Sequence, residues 1–396
     1  IGDVYTMEQR ARIQGLFSGV WGVSSVIGPA IGGLLVQYLS WRWVFYVNVP
    51  FGILAWIFMT VALTERVVRR QHEIDYVGAI TLSVGITSLL LALLQGGTSL
   101  PFNSPALWAL YALALACVTA FFWQERRAKE PMLPLGLFGN PVIAVSSLAG
   151  FLSGMVMFGL SSYVPLFVQG VQGGAPTTAG AALAPMSLGW PIGSIVGGRL
   201  ILRLGYRPSA LTGLAFIVAG SALVSIVLQP GTPLPLLGAV MALVGVGLGF
   251  SSLAFLLAVQ NAVQWGTRGV ATASVQFFRT IGGAIGVAVM GAILANGMRP
   301  YLSTLGGGAD AAGQRGGASL LLDPAARSTL SANTLHQLAG ALNTSLHLVY
   351  VLIAVLAIAG LFVGFRFPHG KVARQAVGGR PAAGEPARDM TADPTG

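Results

Sequence analysis

Apolar residues run along the chain in about ten long stretches, each followed by a short polar connection. The stretches cover residues 15–39, 41–63, 76–96, 104–124, 141–165, 177–200, 209–229, 235–258, 271–295 and 346–366. A helix needs about 20 mostly apolar residues to cross a bilayer, and each stretch reaches that length. None of them alternates apolar and polar residues with a period of two, as half-buried strands do. The pattern predicts an all-α, polytopic membrane helix bundle with about ten transmembrane helices.

The composition agrees with a membrane protein and excludes several other classes. Hydrophobic residues make up 54% of the chain and charged residues only 9%, whereas soluble domains carry about 25% charged residues. So few charges exclude a cytosolic enzyme, a nucleic-acid-binding protein and a disordered chain. The sequence has no GxxxxGK[ST] phosphate loop, no HExxH motif and a single cysteine, Cys117. We therefore expect no enzyme activity, no metal and no cofactor.

The basic residues are distributed unevenly between the two sides of the predicted bundle. If the N-terminus is cytoplasmic, 18 of the 22 lysines and arginines fall on the inner side and four on the outer side. Such an asymmetry is typical of membrane topology and fixes the orientation. The asymmetry explains the net charge of +10 by membrane topology, so that no affinity for nucleic acid is needed to explain it. It predicts a bacterial inner-membrane protein with a cytoplasmic C-terminus and anionic lipid beside its inner loops.

One outer connection, residues 296–345, is much longer than the others. It contains the flexible sequence GGGADAAGQRGG, and then Asp323-Pro324, which is typical of a helix start. Leu330, Leu335, Leu338 and Leu342 follow near helical spacing. They predict a short amphipathic helix lying on the outer face. The tail 369–396 is rich in Gly, Pro, Ala and Arg and is predicted to be disordered and cytoplasmic.

Small residues recur four positions apart inside several stretches. The pairs are Gly150/Gly154, Gly193/Gly197, Gly245/Gly249 and Gly282/Gly286. This spacing allows two membrane helices to cross at short distance. The first stretch also holds Gly28, Pro29, Gly32 and Gly33 in the run GPAIGG, where a proline inside a helix favours a kink.

The segments GVWGVSSVIGPAIGGLL and WRWVFYVNVPFG resemble the antiporter motif of the fifth helix in the major facilitator superfamily. More narrowly, the chain is similar to the fourteen-span drug/proton antiporter family. The segments HEIDYVGA, EPMLPLGLF and GVATASVQFFRTIGGAIGVAVMG match the same family. Ser24 stands where that motif usually has a glycine.

The resemblance implies a division of the chain into four parts. Residues 1–64 would hold the last two helices of the N-terminal bundle, and residues 65–130 an inserted helical hairpin with inner linkers. Residues 131–368 would form the C-terminal six-helix bundle, with the long outer loop 296–345, and residues 369–396 the tail. The resemblance also implies that the chain starts at the end of a fourth helix and lacks the helices before it.

The resemblance further implies a secondary active transporter that exports hydrophobic or cationic drug-like compounds by proton antiport, with alternating access. Its partners would be a small-molecule substrate, protons and membrane lipid; the sequence does not identify accessory export proteins. Two alternatives stay open: an exporter of another small-molecule class, such as a secondary metabolite, in the same fold, and an inactive truncated membrane protein.

Two groups of residues are candidates for function. Gly198, Arg199, Arg203, Gly205 and Arg207 resemble the superfamily's loop motif. Three arginines on a tight inner loop could latch an inner gate against acidic groups or helix C-termini, or simply follow the positive-inside rule.

Arg279 lies about 12 Å beyond Ala271 along the helix, where it either reaches back to the inner interface or lines a cavity. Candidates for the translocation path are Arg279, Gln276, Tyr163 and Gln169, with Gln172, Asn261 and Trp190 as weaker ones.

Proton coupling needs a titratable group in the membrane, usually a carboxylate. All twelve acidic residues fall in predicted loops or termini. By the resemblance, the coupling residues lie on earlier helices.

Overall fold

The structure is a computed structural model of the chain. It describes residues 42–62, 75–96, 100–101, 103–304, 321–322 and 331–368. Before residue 42 it describes only 13, 16, 17, 19, 20, 22–24, 27, 28, 31, 35 and 38–40.

From residue 42 onward, the structure gives the bounds of ten α-helices, which we number in chain order. They are α1 (Trp43–Tyr46), α2 (Asn48–Ala62), α3 (Tyr76–Gln95), α4 (Pro105–Glu125), α5 (Pro141–Leu166), α6 (Pro176–Leu204), α7 (Tyr206–Val227), α8 (Leu234–Ala262), α9 (Arg268–Thr304) and α10 (Ala332–Phe365). A π-helical turn, Phe167–Val171, continues α5, and 3₁₀ turns cover Leu135–Gly139 and Trp265–Thr267. Within this described part, nine segments are long and apolar enough to cross a membrane, α1 and α2 forming one of them.

The prediction of an all-α, polytopic membrane bundle is confirmed. Each of these nine segments, from α1 and α2 to α10, overlaps one of the predicted stretches from 41–63 onward. Most of the remaining stretch, 15–39, lies outside the described residues, and Phe17, Gly22 and Gly28 within it are helical. The division at residues 64/65 and 130/131 stays a prediction.

Helix ends follow local chemistry in the sequence. The Asp75 carboxylate accepts a hydrogen bond from Gly78 N at 2.9 Å, and Asn140 Oδ1 accepts one from Val142 N at 2.9 Å. Ser331 Oγ caps α10 by accepting from Thr334 N at 3.2 Å. These side chains satisfy amides that have no partner within their helix. Pro105 and Pro176 open α4 and α6, where a missing N–H costs nothing.

The buried core lies among α5, α6, α7, α8, α9 and α10. Leu160, Val244 and Ile353 are fully buried within it. The hairpin of α3 and α4 buries one face only, and α2 has no buried residue. The exposed faces of these helices are apolar, as in Trp56 and Phe58, and lipid is the solvent that suits them.

Glycines bring two pairs of core helices into close contact, as their spacing predicts. Between α6 and α8, a Cβ added to Gly189 would lie 2.6 Å from the carbonyl oxygen of Ala242, and one added to Gly193 would lie 2.9 Å from Val246 Cα. Between α5 and α9, a Cβ on Gly282 would meet the backbone of Phe151, and one on Gly286 would lie 2.8 Å from Met155 Cα. Only residues without a side chain fit these positions.

The structure corrects two details of the sequence prediction. The amphipathic helix expected on the outer face is instead the first part of α10, which begins at Ala332 and continues into the last membrane segment. Leu338 and Leu342 are buried in the core, so their periodic spacing reflects packing against protein. With α9 ending at Thr304, the outer connection is shorter than 296–345 at both ends; Leu330 lies outside the described residues.

The second correction concerns the acidic residues. Glu125 is one of the acidic residues that the sequence places outside the apolar stretches, but in the structure it is the last residue of α4 and is buried. Its Oε2 accepts a hydrogen bond from Leu133 N at 3.2 Å. The carboxylate therefore holds the connection to α5 against the end of the hairpin.

Candidate substrate cavity

A cavity of about 500 Å³ lies between α5, α6, α8 and α9. This volume falls within the range of small-molecule sites. Its wall is mostly apolar and includes Met157, Phe158, Phe255 and Leu256. Hydroxyl groups, an amide and a guanidinium interrupt the apolar surface, so the cavity suits a molecule with both apolar and polar parts.

The cavity extends from the middle of the bundle towards the turn between α8 and α9. Residues 150–158 of α5, 251–259 of α8 and 272–279 of α9 contribute to its wall. Because α8 ends at Ala262 and α9 begins at Arg268, this is the end of the bundle that carries the arginine-rich loop after α6. The charge pattern of the sequence predicts that this end is the inner side.

Arg279 is the ionisable residue of the described cavity wall. Its Nη1 donates to Ser252 Oγ at 3.4 Å, and its Cζ lies 5.3 Å from the centre of the Trp190 ring. The side chain thus reaches across from α9 to α8 and α6. The sequence allowed the Arg279 side chain either to reach the inner interface or to line a cavity. In the structure it lines the cavity. Gln276, one turn earlier, lines the same cavity.

The glycine crossings determine where these side chains lie. A Cβ on Gly154 of α5 would collide with the backbone carbonyl of Arg279, and one on Gly249 of α8 would collide with that of Trp190. Arg279 and Trp190 therefore each lie at a point where their helix contacts a glycine of the neighbouring helix. The close packing fixes the backbone from which the guanidinium and the indole project.

Two other hydroxyl groups of the wall donate hydrogen bonds within the bundle. Ser251 Oγ donates to Gly247 O at 2.8 Å, and Ser194 Oγ donates to Gly249 O at 3.4 Å. Sequence analysis did not single out Ser252, which contacts Arg279. A signal was present, since Ser251-Ser252 is a polar pair inside an apolar, glycine-rich stretch.

The other polar candidates lie away from this cavity. Tyr163 is buried, donates its hydroxyl to Val287 O at 2.8 Å and accepts at its carbonyl from Tyr350. Gln169 Nε2 donates to Pro165 O, and Gln172 Nε2 donates to Thr232 O at 2.9 Å. Asn261 Nδ2 bonds to the Tyr206 hydroxyl at the end of α8. In the structure these four side chains form hydrogen bonds within the bundle and do not line the cavity.

The loop between α6 and α7 forms a tight turn at Gly205, whose φ of 95° favours glycine. Arg207 Nη2 donates to Phe365 O at 2.9 Å, at the C-terminal end of α10, a position where a cation is favourable. Arg199 and Arg203 are exposed, and Gly198 is buried. The described contact of Arg207 joins two helices of the same core.

We predict that Gly205→Ala lowers the free energy of unfolding by about 1–3 kcal/mol, because a Cβ is strained at this φ. Thermal unfolding of the purified protein in detergent measures the effect. Gly231→Ala is the matched control, since Gly231 lies in a turn without a positive φ and has open space around it. Equal melting temperatures for the two variants would contradict the prediction.

The predicted antiporter-motif residues are only partly described. Pro29, Gly32 and Gly33 lie outside the described residues. A Cβ on Gly28 would meet no described atom within 4 Å, whereas one on Gly22 would lie 2.5 Å from Pro191 Cγ of α6. In the described part of this segment, Gly22 makes the close approach to the core.

Comparison with known proteins agrees with this architecture. The sequence pattern of the Major Facilitator Superfamily matches residues 1–287. The multidrug transporter protein MdtP of Bacillus subtilis is 39% identical over 313 residues, which cover 77% of this chain and 58% of MdtP. Multidrug resistance protein 3 of the same organism is 32% identical over 374 residues, covering 92% of this chain and 73% of the relative.

A fungal protein, the MFS-type efflux transporter pyiT of Pyricularia grisea, is 31% identical over 303 residues, or 74% of this chain and 50% of its own length. The chain thus spans a little over half of MdtP. It is a multi-pass membrane protein, and it resembles transporters of the multidrug-efflux type. By sequence pattern, helix content and relatives, the chain belongs to the major facilitator superfamily.

Proposed function

We propose that the chain acts as a secondary active transporter that exports hydrophobic, drug-like compounds in exchange for protons. The observation that supports this most strongly is the amphipathic cavity between α5, α6, α8 and α9. It combines a mostly apolar wall with a few polar groups, as small-molecule sites do.

The packing of the core supports alternating access. Glycine contacts join α5 to α9 and α6 to α8, while the cavity lies between the two pairs. Helices that are packed so closely move together, because sliding them apart would remove many contacts at once. We propose that this closely packed core rocks as one body against the bundle to which residues 1–64 belong, so that the cavity opens to one side of the membrane and then to the other.

The charge pattern supports a proposal for the location and orientation of the protein. Eighteen of the 22 basic residues fall on one side of the predicted topology. We propose that this side faces the cytoplasm of a bacterium, that the C-terminus lies there too, and that anionic lipid accompanies the arginine-rich loops.

A second candidate is export of a different chemical class, such as a secondary metabolite. The similarity to pyiT, an efflux transporter of a fungus, supports this second candidate. The fold is the same in both cases, and the contents of the cavity decide between them.

Transport into liposomes tests the proposal. The full chain is reconstituted, a proton gradient is imposed with an acidic interior, and uptake is followed for ethidium, 1-naphthoate and a neutral aromatic dye. We expect uptake of at least one probe above that of protein-free liposomes, abolished by a protonophore. Uptake that does not depend on the proton gradient would contradict antiport. Uptake of none of the three probes would contradict export of drug-like compounds. Uptake of a multi-ring natural product in a parallel assay would then favour the second candidate.

A further inference from the structure

The charge of the cavity wall distinguishes between substrate classes. The described wall has a guanidinium, that of Arg279, and no carboxylate. Its described contacts are the Ser252 hydroxyl and the face of Trp190. Neither contact neutralises the positive charge.

A cation in an apolar setting is costly unless an anion or several hydrogen-bond acceptors compensate it. The guanidinium carries five N–H donors, and within the described part of the chain one of them forms a hydrogen bond, to Ser252. The indole face adds a cation–π attraction, which does not neutralise the charge. Among the described residues the positive charge is therefore only partly compensated, and donors of Arg279 remain available to a ligand in the cavity.

The surroundings of Arg279 determine what else a ligand must carry. Phe158, Met157, Phe255 and Leu256 line the same cavity and offer apolar and aromatic contact. Gln276 lies one turn from Arg279 on the cavity wall and adds an amide that can donate or accept. A flat apolar body with one negatively charged group would match both parts of the wall.

We infer that this cavity binds aromatic organic anions, such as carboxylates, with the anionic group at Arg279 and the ring among the apolar residues beside Trp190. This inference rests on the proposed export function and narrows its substrate class. It departs from the expectation of cationic substrates, because the described wall repels a cation rather than attracting it. Carboxylate binding by a guanidinium is charge-assisted and can be bidentate.

Equilibrium dialysis of the purified full chain at pH 7 tests the inference with three ligands of similar size: 1-naphthoate, neutral 1-naphthamide and cationic 1-naphthylmethylamine. We expect the unmodified protein to bind naphthoate about tenfold or more tightly than naphthamide, the size of one charge-assisted hydrogen bond, and the amine most weakly. Equal binding of naphthoate and naphthamide, or tightest binding of the amine, would overturn the inference. This comparison needs no variant, so it decides even if substituted proteins fail to fold.

A variant pair assigns the effect to Arg279. Arg279→Gln should weaken naphthoate binding about tenfold or more and change naphthamide binding less than about twofold. Arg126→Gln, which neutralises an exposed arginine beyond α4, should change neither. An equal loss for all three ligands in Arg279→Gln would overturn the role of the charge.

The liposome assay tests export, whereas the dialysis tests the preference for anions, so either can fail without the other. If liposomes transport ethidium or a neutral dye under a proton gradient but naphthoate binds no better than naphthamide, the export function stands and the anion preference is wrong. If no probe is transported, the export function is wrong, whatever the dialysis shows.

Discussion

The variant Gly193→Val is expected to prevent stable packing of α6 against α8. A Cβ at this position would lie 2.9 Å from Val246 Cα and closer still to its carbonyl, and backbone atoms cannot rotate away as a side chain does. Overpacking of a core costs about 1–3 kcal/mol and sometimes more, and a valine against backbone belongs at the upper end. We expect loss of a monodisperse peak in gel filtration of the solubilised protein, or a clearly lower melting temperature.

Gly180→Val is the matched control for this experiment. Gly180 lies in the same helix, α6, but an added Cβ there would meet no described atom within 4 Å. The cost of placing a β-branched residue in a helix is common to both variants, so their difference isolates the contact with α8. Two variants with the same stability would show that the close crossing does not hold the core together.

The second large effect is expected for Gly154→Ala. One added methyl group on α5 would collide with the carbonyl oxygen of Arg279 on α9. The two helices must shift, which displaces the backbone from which Arg279 reaches Ser252 and Trp190. We expect a stability loss of about 1–3 kcal/mol, together with a naphthoate uptake rate lower than that of the unmodified protein.

Gly150→Ala separates this effect from a general intolerance of α5. Gly150 lies one turn earlier and also borders the cavity, yet a Cβ there would make an ordinary contact, 3.6 Å from Val275 Cγ1. Thermal unfolding and uptake should both remain close to those of the unmodified protein. If Gly150→Ala were as damaging as Gly154→Ala, the close approach at Arg279 would not be the cause.

The sequence predicted the membrane segments well because bilayer thickness and apolar character impose them directly. The fourth stretch, 104–124, is found as Pro105–Glu125. The glycine pairs also predicted close crossings, because small residues four positions apart allow the backbones of two membrane helices to approach each other. Which helix each glycine faces could not be predicted, because spacing gives a face but not its partner.

The sequence was least informative where one pattern fits two environments. Leu338 and Leu342 have a spacing that suits either a membrane surface or a protein core, and the core proved correct. Arg279 could be placed by depth along its helix, but the direction of its side chain depends on how α9 is rotated against α8. Tyr163 and Asn261 are polar residues in apolar stretches that bond within the bundle, and their sequence environment does not reveal those partners.

Labelling of an introduced thiol tests the central claim, that the cavity between the helix pairs opens to the side of the arginine-rich loops. Ser252→Cys is made in a Cys117→Ser background, because Cys117 is the single native cysteine, and a membrane-impermeant maleimide is added to inside-out and right-side-out vesicles without a proton gradient. We expect faster labelling in inside-out vesicles, and slower labelling there when a transported probe is present. Equal rates from both sides, or faster labelling in right-side-out vesicles, would contradict it.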